Sequence, residues 1–339
     1  MTKHAFVTGA TGMVGRWLVP ALTREGYVVT ALVRSADQRK KEYLRWVRDH
    51  DGSAEQVRVV DGDLAADDLG LSDASLALVH EADIVYHLGA AMQLGLDPTL
   101  TAAVNEGGTE RVVRMAVSFE RRPRFVLISG FRIAGANELD LHRAGAYEAS
   151  KVRADRRTRA LAKELGLALT VVNPAVVIGD SRTGETTLFW GFADVVRDLK
   201  NGNTPAVPGT RLHWMPLVTV DYLADFLARV PPRDQDAVAE YYLLDDRTPD
   251  LGAMMGIVAR KLGVRAPRFH VPMPLVPLFL RLTGQAVKIE ALTFISTDRY
   301  DTSSAMRAAE AAGLALPDLE LAIRNNVDFL VAHDFRASS

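Results

Sequence analysis

The chain has 339 residues, with 40 Lys and Arg against 42 Asp and Glu, and it contains no cysteine. At roughly 150 residues per domain, this length predicts about two domains, or one large α/β unit with an appended lobe. The balanced charge excludes the basic footprint of a nucleic-acid-binding protein, and the lack of cysteine excludes disulfides and thiolate metal sites.

Short β-branched segments alternate with helical segments over the first half of the chain, which is typical of a parallel sheet with crossover helices. We predict strands at 4–8, 28–33, 57–60, 83–87, 125–129 and 169–173, and helices near 13–25, 36–48, 72–80, 101–120 and 147–165. The predicted fold class is α/β, a doubly wound parallel sheet of Rossmann type. We expect residues 1–175 to form this domain and residues 176–339 to form a smaller α+β substrate lobe, and an exchange of a strand or helix back to the first domain is left open.

No segment predicts export or membrane insertion. The start MTKHAFVTGA enters a strand at once and lacks the longer apolar core of a signal peptide. The apolar stretch 271–280 is broken by three prolines and is shorter than the roughly 20 residues that span a bilayer. We therefore expect a cytoplasmic protein without a membrane span.

The first predicted strand runs directly into GATGMVG, which places Gly9, Gly12 and Gly15 at a strand-to-helix turn. Backbone amides and the helix dipole at such a turn can hold a pyrophosphate. The spacing and the lack of a following Lys-Ser/Thr pair exclude a nucleoside-triphosphatase loop. Glycines also serve only to turn a chain, so the position at the first βα junction gives the motif its weight.

Cationic side chains follow the second predicted strand, where an acidic residue would bind the ribose hydroxyls of NAD. Arg34 stands at this position, with Arg39, Lys40 and Lys41 close behind. A ribose 2'-phosphate suits these cations, whereas solvated charges on a surface helix are the alternative. Asp63, after the third strand, is placed to accept from the adenine amino group or to serve as a turn residue.

Tyr147 and Lys151 stand four residues apart in the predicted helix and therefore share one helix face. A phenol has a pKa near 10 and exchanges protons poorly at neutral pH unless a nearby cation lowers that pKa. The Lys151 ammonium provides such a cation. A Tyr-x-x-x-Lys pair is often inert, and this one gains weight from the glycine turn and from a fifth strand that ends in Ser129.

Together, GATGMVG, VNEGGT with Asn105, and YEASK resemble the extended short-chain dehydrogenase/reductase superfamily over essentially the whole chain. GDLAADDLGLS (62–72), YEASK (147–151) and IGDSRTGET (178–186) further resemble its male-sterility and thioester-reductase branch. Members of that branch use NADPH to reduce acyl groups carried as thioesters on coenzyme A or a carrier protein.

The resemblance implies that Tyr147 is the general acid and that Lys151 lowers its pKa and binds the nicotinamide ribose. It implies that Asn105 ties the central strand rather than contacting substrate. The implied NADP(H)-binding residues are Gly9, Thr11, Gly12, Met13, Val14, Gly15, Arg34, Asp63, Leu64, Gly89, Ala90, Ala91, Lys151, Pro174 and Val176.

Two positions depart from the family pattern. The family places a Ser or Thr beside the substrate carbonyl, and alignment on Gly135 puts Gly130 there, with Ser129 one residue early. Ser129, a water or a substrate group must then supply the hydrogen bond, and we take Ser129 as the candidate catalytic residue. Asn173 stands where an Arg commonly precedes the proline.

Other site chemistries have little support in the sequence. The eight histidines lack metal-ligand spacing, so no metal site is predicted, and Ser181 is not in a nucleophile elbow. The basic helix that follows Tyr147 either docks an acidic carrier or coenzyme A phosphates, or forms a solvated face or homodimer interface. The apolar residues Trp190, Phe192, Trp214, Met215 and 271–280 either line an acyl pocket or pack the second lobe.

The sequence therefore predicts an NADPH-dependent reductase that acts on a small-molecule or carrier-bound acyl thioester, or on the derived aldehyde. An oxidoreductase for a ketone or alcohol of a lipid, natural product or sugar nucleotide is the first alternative. The second alternative is a cofactor-binding regulator without catalysis, which Gly130 favours and the retained Tyr147 and Lys151 disfavour.

Overall fold

The computed structural model describes residues 3–91, 97–133, 146–282, 292 and 294–336, with only the backbone of Pro98, Ala146 and Tyr147. Within these residues, the main sheet consists of seven parallel strands: β1 (His4–Thr8), β2 (Val28–Val33), β3 (Val57–Asp61), β4 (Ile84–His87), β5 (Arg124–Ile128), β6 (Leu169–Pro174) and β10 (Val238–Leu243). Their order in the sheet is β10-β6-β5-β4-β1-β2-β3, and the predicted doubly wound fold class is confirmed. Winding reverses between β1 and β4, and this switch point is where open α/β sheets bind ligands.

The helices follow the predicted order, with one correction. The predicted helix 101–120 begins earlier, because the Asp97 side chain caps it and Pro98 occupies its first turn, and it contains a π-helical segment at Ala103–Gly108. The helices are α1 (Met13–Arg24), α2 (Ala36–Asp49), α3 (Asp73–His80), α4 (Pro98–Ala102), α5 (Thr109–Val117), α6 (Ala146–Leu165), α7 (Phe192–Lys200), α8 (Val220–Arg229), α9 (Leu251–Leu262), α10 (Val276–Leu282), α11 (Ser303–Ala311) and α12 (Leu319–Ala332).

Pro20 lies inside α1, where its missing N–H leaves the carbonyl of Arg16 without its usual helical donor. The indole Nε1–H of Trp46 on α2 donates to the Arg16 oxygen at 3.0 Å. A side chain from the neighbouring helix therefore replaces the bond that the proline removes.

The chain forms two compact units. The first comprises Met1–Pro174, Leu223–Leu243 and Ser303–Leu314, and the second comprises Ala175–Tyr222, Leu244–Thr302 and Ala315–Ser339. In the first unit, β10 pairs with β6 over six residues and extends the sheet.

The second unit contains two small parallel pairings, β7 (Val176–Ile178) with β9 (Leu217–Thr219) and β8 (Val207–Pro208) with β11 (His270–Val271). Phe192 and Met215 belong to its hydrophobic core, so they pack the lobe rather than line an open acyl pocket. Across the described parts of the chain, none of the helices combines the length and apolar character that a bilayer span requires.

Candidate active site

Two turns meet at the switch point of the sheet. Gly9 follows β1 with a positive φ of 72°, and Gly89 follows β4. A Cβ on Gly9 would lie 2.6 Å from the Gly89 nitrogen, and a Cβ on Gly15 would overlap the Gly9 carbonyl oxygen. Glycine is therefore required at Gly9 and Gly15 by close backbone approach as well as by the turn.

The start of α1 fits the pyrophosphate of a dinucleotide. Gly12 is the N-cap, it brings no side-chain cap, and the first turn of the helix contains no acidic residue. The positive end of the helix dipole and its amides therefore face no competing carboxylate from this helix. Thr11, Met13 and Val14 occupy the same turn, where the resemblance places them.

A cavity of about 330 Å³ adjoins this turn and is lined by Thr11, Arg16, Arg39, Glu42 and Tyr43. The Arg16 Nε donates to the Thr11 carbonyl at 3.2 Å, and the other end of the guanidinium pairs with Glu42 at 3.2 Å. Arg34 ends the second strand region with an exposed side chain. Two guanidinium groups, those of Arg16 and Arg39, and one carboxylate, that of Glu42, thus line the cavity beside the glycine turn.

Asp63 and Leu64 follow β3 and have different surroundings. Asp63 Oδ1 accepts from the Ala65 amide at 2.9 Å, so one carboxylate oxygen serves the turn. Leu64 lies between two glycines, because a Cβ on Gly89 would lie 2.5 Å from Leu64 Cδ1 and one on Gly108 would lie 3.0 Å from Leu64 Cβ. Leu64 therefore packs closely against both glycines, and a side chain at either position would contact it.

A buried hydrogen-bond chain supports the same turn. His87, which is 2% exposed, lies between Thr8 Oγ1 at 2.7 Å and Thr109 Oγ1 at 2.8 Å. Thr109 Oγ1 donates its proton to the Asn105 carbonyl at 2.6 Å, so it accepts from His87 Nε2–H, and Thr8 donates to Nδ1. Burial, with a smaller contribution from the Lys151 charge, lowers the pKa of His87 to about 3.

Asn105 lies in the π-helical segment and joins the turn after β4 to α6. Its Oδ1 accepts from the Ala91 amide at 2.7 Å, and its Nδ2 donates to Ser150 Oγ at 2.9 Å. Ser150 immediately precedes Lys151. The π-helical turn therefore carries a side chain that fixes both segments, which agrees with the frequent use of such turns at functional sites.

Lys151 lies one helical turn after Tyr147 on α6 and is partly buried. Its Nζ donates to the Ile128 carbonyl at the carboxyl end of β5, at 2.8 Å. Burial lowers the pKa of Lys151 to about 8, and the nearby Asp155 carboxylate opposes that change. The Tyr147 side chain lies outside the described residues, as do Gly135 and His142.

The end of β5 contains a buried hydroxyl. Ser129 Oγ makes no hydrogen bond to any described residue, although its amide donates to the Val172 carbonyl at 2.9 Å. Gly130 follows it, and a Cβ there would meet Ile133 Cγ1 at 3.2 Å as its nearest neighbour. On the adjacent strand, Pro174 ends β6 and accepts from the Phe131 amide, while Val176 begins β7 in the second unit.

Most cations of the basic helix α6 already have partners. Arg153 pairs with Glu106 at 2.8 Å, Arg157 with Glu110 at 3.0 Å, and Arg159 with Asp155 at 2.7 Å. The paired helix offers much less charge for docking an acidic partner than its sequence indicates.

Two parts of the site were missed from the sequence. Arg16 was overlooked, although a cation in the first turn of a helix opposes the dipole and indicates a nearby anion. The chain Thr8–His87–Thr109 had no sequence signal, because its residues lie far apart in the chain and carry no motif. Among the described residues, no group of three or more His, Asp or Glu could hold a metal ion.

A parallel sheet with a glycine turn at its switch point, followed by a Tyr-x-x-x-Lys helix, defines an enzyme of the extended short-chain dehydrogenase/reductase type. A family model agrees over residues 5–242, and the chain belongs to the NAD dependent epimerase/dehydratase family. It is therefore a nicotinamide-dependent enzyme.

Individual relatives are distant. The chain is 25% identical over 283 residues to a linear gramicidin synthase protein of Brevibacillus parabrevis, covering 76% of this chain but only 5% of that protein. It is 25% identical over 310 residues to UDP-glucose 4-epimerase of Vibrio cholerae, covering 86% of each. Among solved structures, the terminal R domain from the myxalamid PKS-NRPS biosynthetic pathway superposes with a TM-score of 0.81 at 20% identity, covering 99% of this chain and 92% of that one.

Proposed function

We propose that this protein is an NADPH-dependent reductase that delivers hydride to the carbonyl group of an acyl thioester or of the derived aldehyde. The observation that carries the proposal is the Lys151 ammonium, anchored to the Ile128 carbonyl at the same end of the sheet as the glycine turn. The likeness of the fold to a terminal R domain supports a carbonyl substrate of the carrier-bound or thioester class.

Bound NADPH supplies the hydride in this reaction. Tyr147 donates its proton to the carbonyl oxygen as negative charge develops there, which gives the alcohol. Lys151 lowers the pKa of Tyr147 and thereby makes the phenol an effective acid near neutral pH. With a thioester, the first hydride and proton give a hemithioacetal, which breaks its C–S bond and releases the thiol to leave the aldehyde. A hydride from a second NADPH and a second proton then give the alcohol.

Preference for NADPH rests on the cations beside the glycine turn. Arg34 ends the second strand, while Arg16 and Arg39 line the cavity next to Thr11. A guanidinium stabilises a dianionic phosphate and offers little to a bare ribose. We expect Arg34→Ala to weaken NADPH binding about tenfold while NADH binding changes little. Fluorescence titration with both cofactors tests this, and equal losses for the two would refute a phosphate-binding role.

The decisive experiment follows NADPH absorbance with a panel of acyl-coenzyme A thioesters, aldehydes, ketones and sugar nucleotides. We expect turnover with a thioester or aldehyde, its abolition in Tyr147→Phe with NADPH affinity nearly intact, and losses of both in Lys151→Ala. Parent-like turnover in Tyr147→Phe would remove the proposed general acid.

An oxidoreductase or epimerase acting on a sugar nucleotide is the second candidate, because the chain covers 86% of a UDP-glucose 4-epimerase. Conversion of a sugar nucleotide would favour it, without net cofactor consumption for an epimerase and with net cofactor turnover for an oxidoreductase. Cofactor binding without turnover on any member of the panel would favour a regulator. We also propose that the enzyme forms a homodimer, which sedimentation equilibrium tests.

A further inference from the structure

Charged residues continue down the face of α6 that begins with Tyr147 and Lys151. Asp155 and Arg159 follow at successive four-residue steps, so each lies one helical turn from the last. Asp155 is 5% exposed, and Arg159 Nε donates to it at 2.7 Å. Lys151 is therefore the first residue of a row of alternating charges that continues through Asp155 to Arg159.

The row ends on the neighbouring strands of the sheet. Arg159 donates to both carboxylate oxygens of Glu240 on β10, at 2.8 and 3.1 Å. Glu240 Oε1 also accepts from Asn173 Nδ2 at 2.8 Å, and Asn173 is fully buried on β6. Asn173, the residue that departs from the family pattern, thus brings no charge of its own to this group.

One guanidinium group, that of Arg159, contacts two carboxylates, those of Asp155 and Glu240. Arg159 shares its charge between Asp155 and Glu240, so it does not neutralise Asp155 alone. The Asp155 carboxylate consequently retains an attraction for the Lys151 ammonium one turn away, where it opposes the effect of burial. Among the described side chains, the titratable groups that interact electrostatically with these residues include His87 on β4, which burial keeps neutral at pH 7, and Tyr242 on β10, whose pKa is raised by burial.

We propose that Asp155 is a positioning residue for Lys151, and that its carboxylate, fixed by Arg159 and Glu240, keeps the ammonium charged at the carboxyl end of β5. Asp155 acts through Lys151 and does not contact the substrate or cofactor. The inference rests on the proposed role of Lys151 in proton transfer.

The test measures the charge of Lys151 directly and then its effect on the reaction. The full chain is labelled with 13C at lysine Cε, and the Lys151 resonance is assigned by its loss in Lys151→Arg. Its titration midpoint is compared in the parent, Asp155→Asn, Asp155→Glu and Glu240→Gln. Arg157→Gln is the matched control, because it breaks an exposed ion pair of the same helix with Glu110.

We expect Asp155→Asn to lower the midpoint by about one pH unit and to move the alkaline limb of the pH profile of kcat by the same amount. Glu240→Gln should lower it less, whereas Asp155→Glu and Arg157→Gln should leave it near that of the parent. An unchanged midpoint in Asp155→Asn, or an equal shift in Arg157→Gln, overturns the proposal.

If Asp155→Asn does not fold, Glu240→Gln decides, and an unchanged midpoint there overturns the proposal. A lowered midpoint in a protein that reduces no carbonyl compound supports the coupling between Asp155 and Lys151 and refutes the proposed function instead. The NMR titration therefore tests the role of Asp155, and the activity assay separately tests the proposed function.

Discussion

At the residue scale, two neighbouring residues at the end of β5 differ in their side chains: Ser129 has a buried hydroxyl, and Gly130 has no side chain to carry one. Ser129 Oγ makes no hydrogen bond to the described residues, while Gly130 brings no side chain to the position where the family has a donor. Gly130 does not adopt a positive φ, and a Cβ there would lie 3.2 Å from Ile133 Cγ1. This contact is tight, so a side chain at position 130 requires Ile133 to shift by a few tenths of an ångström.

We predict that Gly130→Ser raises kcat on a simple aldehyde about tenfold, because one hydrogen bond to a developing oxyanion is worth at least that much. Ser129→Ala should lower kcat about tenfold if Ser129 supplies the hydrogen bond in the parent. Steady-state kinetics with NADPH in excess measure both changes. Unaltered turnover in both variants would show that the position is remote from the reacting carbonyl.

The low pKa of buried His87 makes the free energy of unfolding depend on pH. Its folded-state pKa of about 3 lies below the ordinary 6.5, so between these pH values the unfolded chain binds a proton that the folded chain does not. Stability from this residue is fully present above pH 6.5 and is lost as pH falls toward 3, by up to about 1.4 kcal/mol per pH unit.

Urea unfolding of the parent and of His87→Gln between pH 7.5 and 5 checks this prediction. The free-energy difference between the two proteins should shrink as pH falls below 6.5, since the glutamine variant lacks the titrating ring. Parallel curves over this range would contradict the prediction.

At the scale of elements, the periodicity of the chain was sufficient for six strands of the main sheet, each placed within about one residue of its ends. β10 was not placed, because Val238–Leu243 follows an irregular segment and alternates in burial as an outer strand does. The π-helical turn around Asn105 was also missed, because its hydrogen-bond pattern leaves no distinct apolar period.

The site shows the same division between local and distant information. The glycine turn and the Tyr147–Lys151 spacing are continuous motifs, so the sequence indicated them directly. Arg159, Glu240 and Asn173 converge only because β10 pairs with β6, and no local pattern encodes that pairing. Sequence motifs therefore do not predict the group of Arg159, Glu240 and Asn173, because the order of strands in the sheet brings these residues together.

The Pro20–Trp46 pair is an element-scale device that can be tested. We predict that Trp46→Phe lowers the free energy of unfolding by about 1 kcal/mol, because the Arg16 carbonyl loses its donor. Pro20→Ala restores an N–H at the position that normally serves this carbonyl. In the Pro20→Ala background, Trp46→Phe should lower the free energy of unfolding by a measurably smaller amount. A double-mutant cycle by urea unfolding measures both losses. Equal losses in the two backgrounds would show that the Trp46 hydrogen bond does not replace the one that Pro20 removes.

At the scale of the whole molecule, the first unit is discontinuous in the chain. Its sheet requires β10, and Ser304 Oγ on α11 donates to the Glu240 carbonyl on that strand at 3.4 Å. Residues 1–174 alone would leave β6 as an unpaired, hydrophobic edge. The motifs for the cofactor thus lie in a segment that is not by itself a complete folding unit.

We predict that a 1–174 fragment lacks cooperative urea unfolding and NADPH binding, and that mixing it with a separately expressed 175–339 fragment during refolding restores both. Circular dichroism and cofactor fluorescence measure the two properties. Cooperative unfolding of 1–174 with full NADPH affinity would show that β10 and α11 are dispensable.

The late position of Ser303–Leu314 in the first unit also constrains biosynthesis. The ribosome exposes β1 to β6 before β10, so β6 stays an open edge until β10 is made, and the sheet lacks α11 until residues 244–302 of the second unit have also been made. Contacts that join such distant parts of a chain form slowly. Translation speed across residues 175–302 should therefore affect the yield of active enzyme more than speed across the glycine turn.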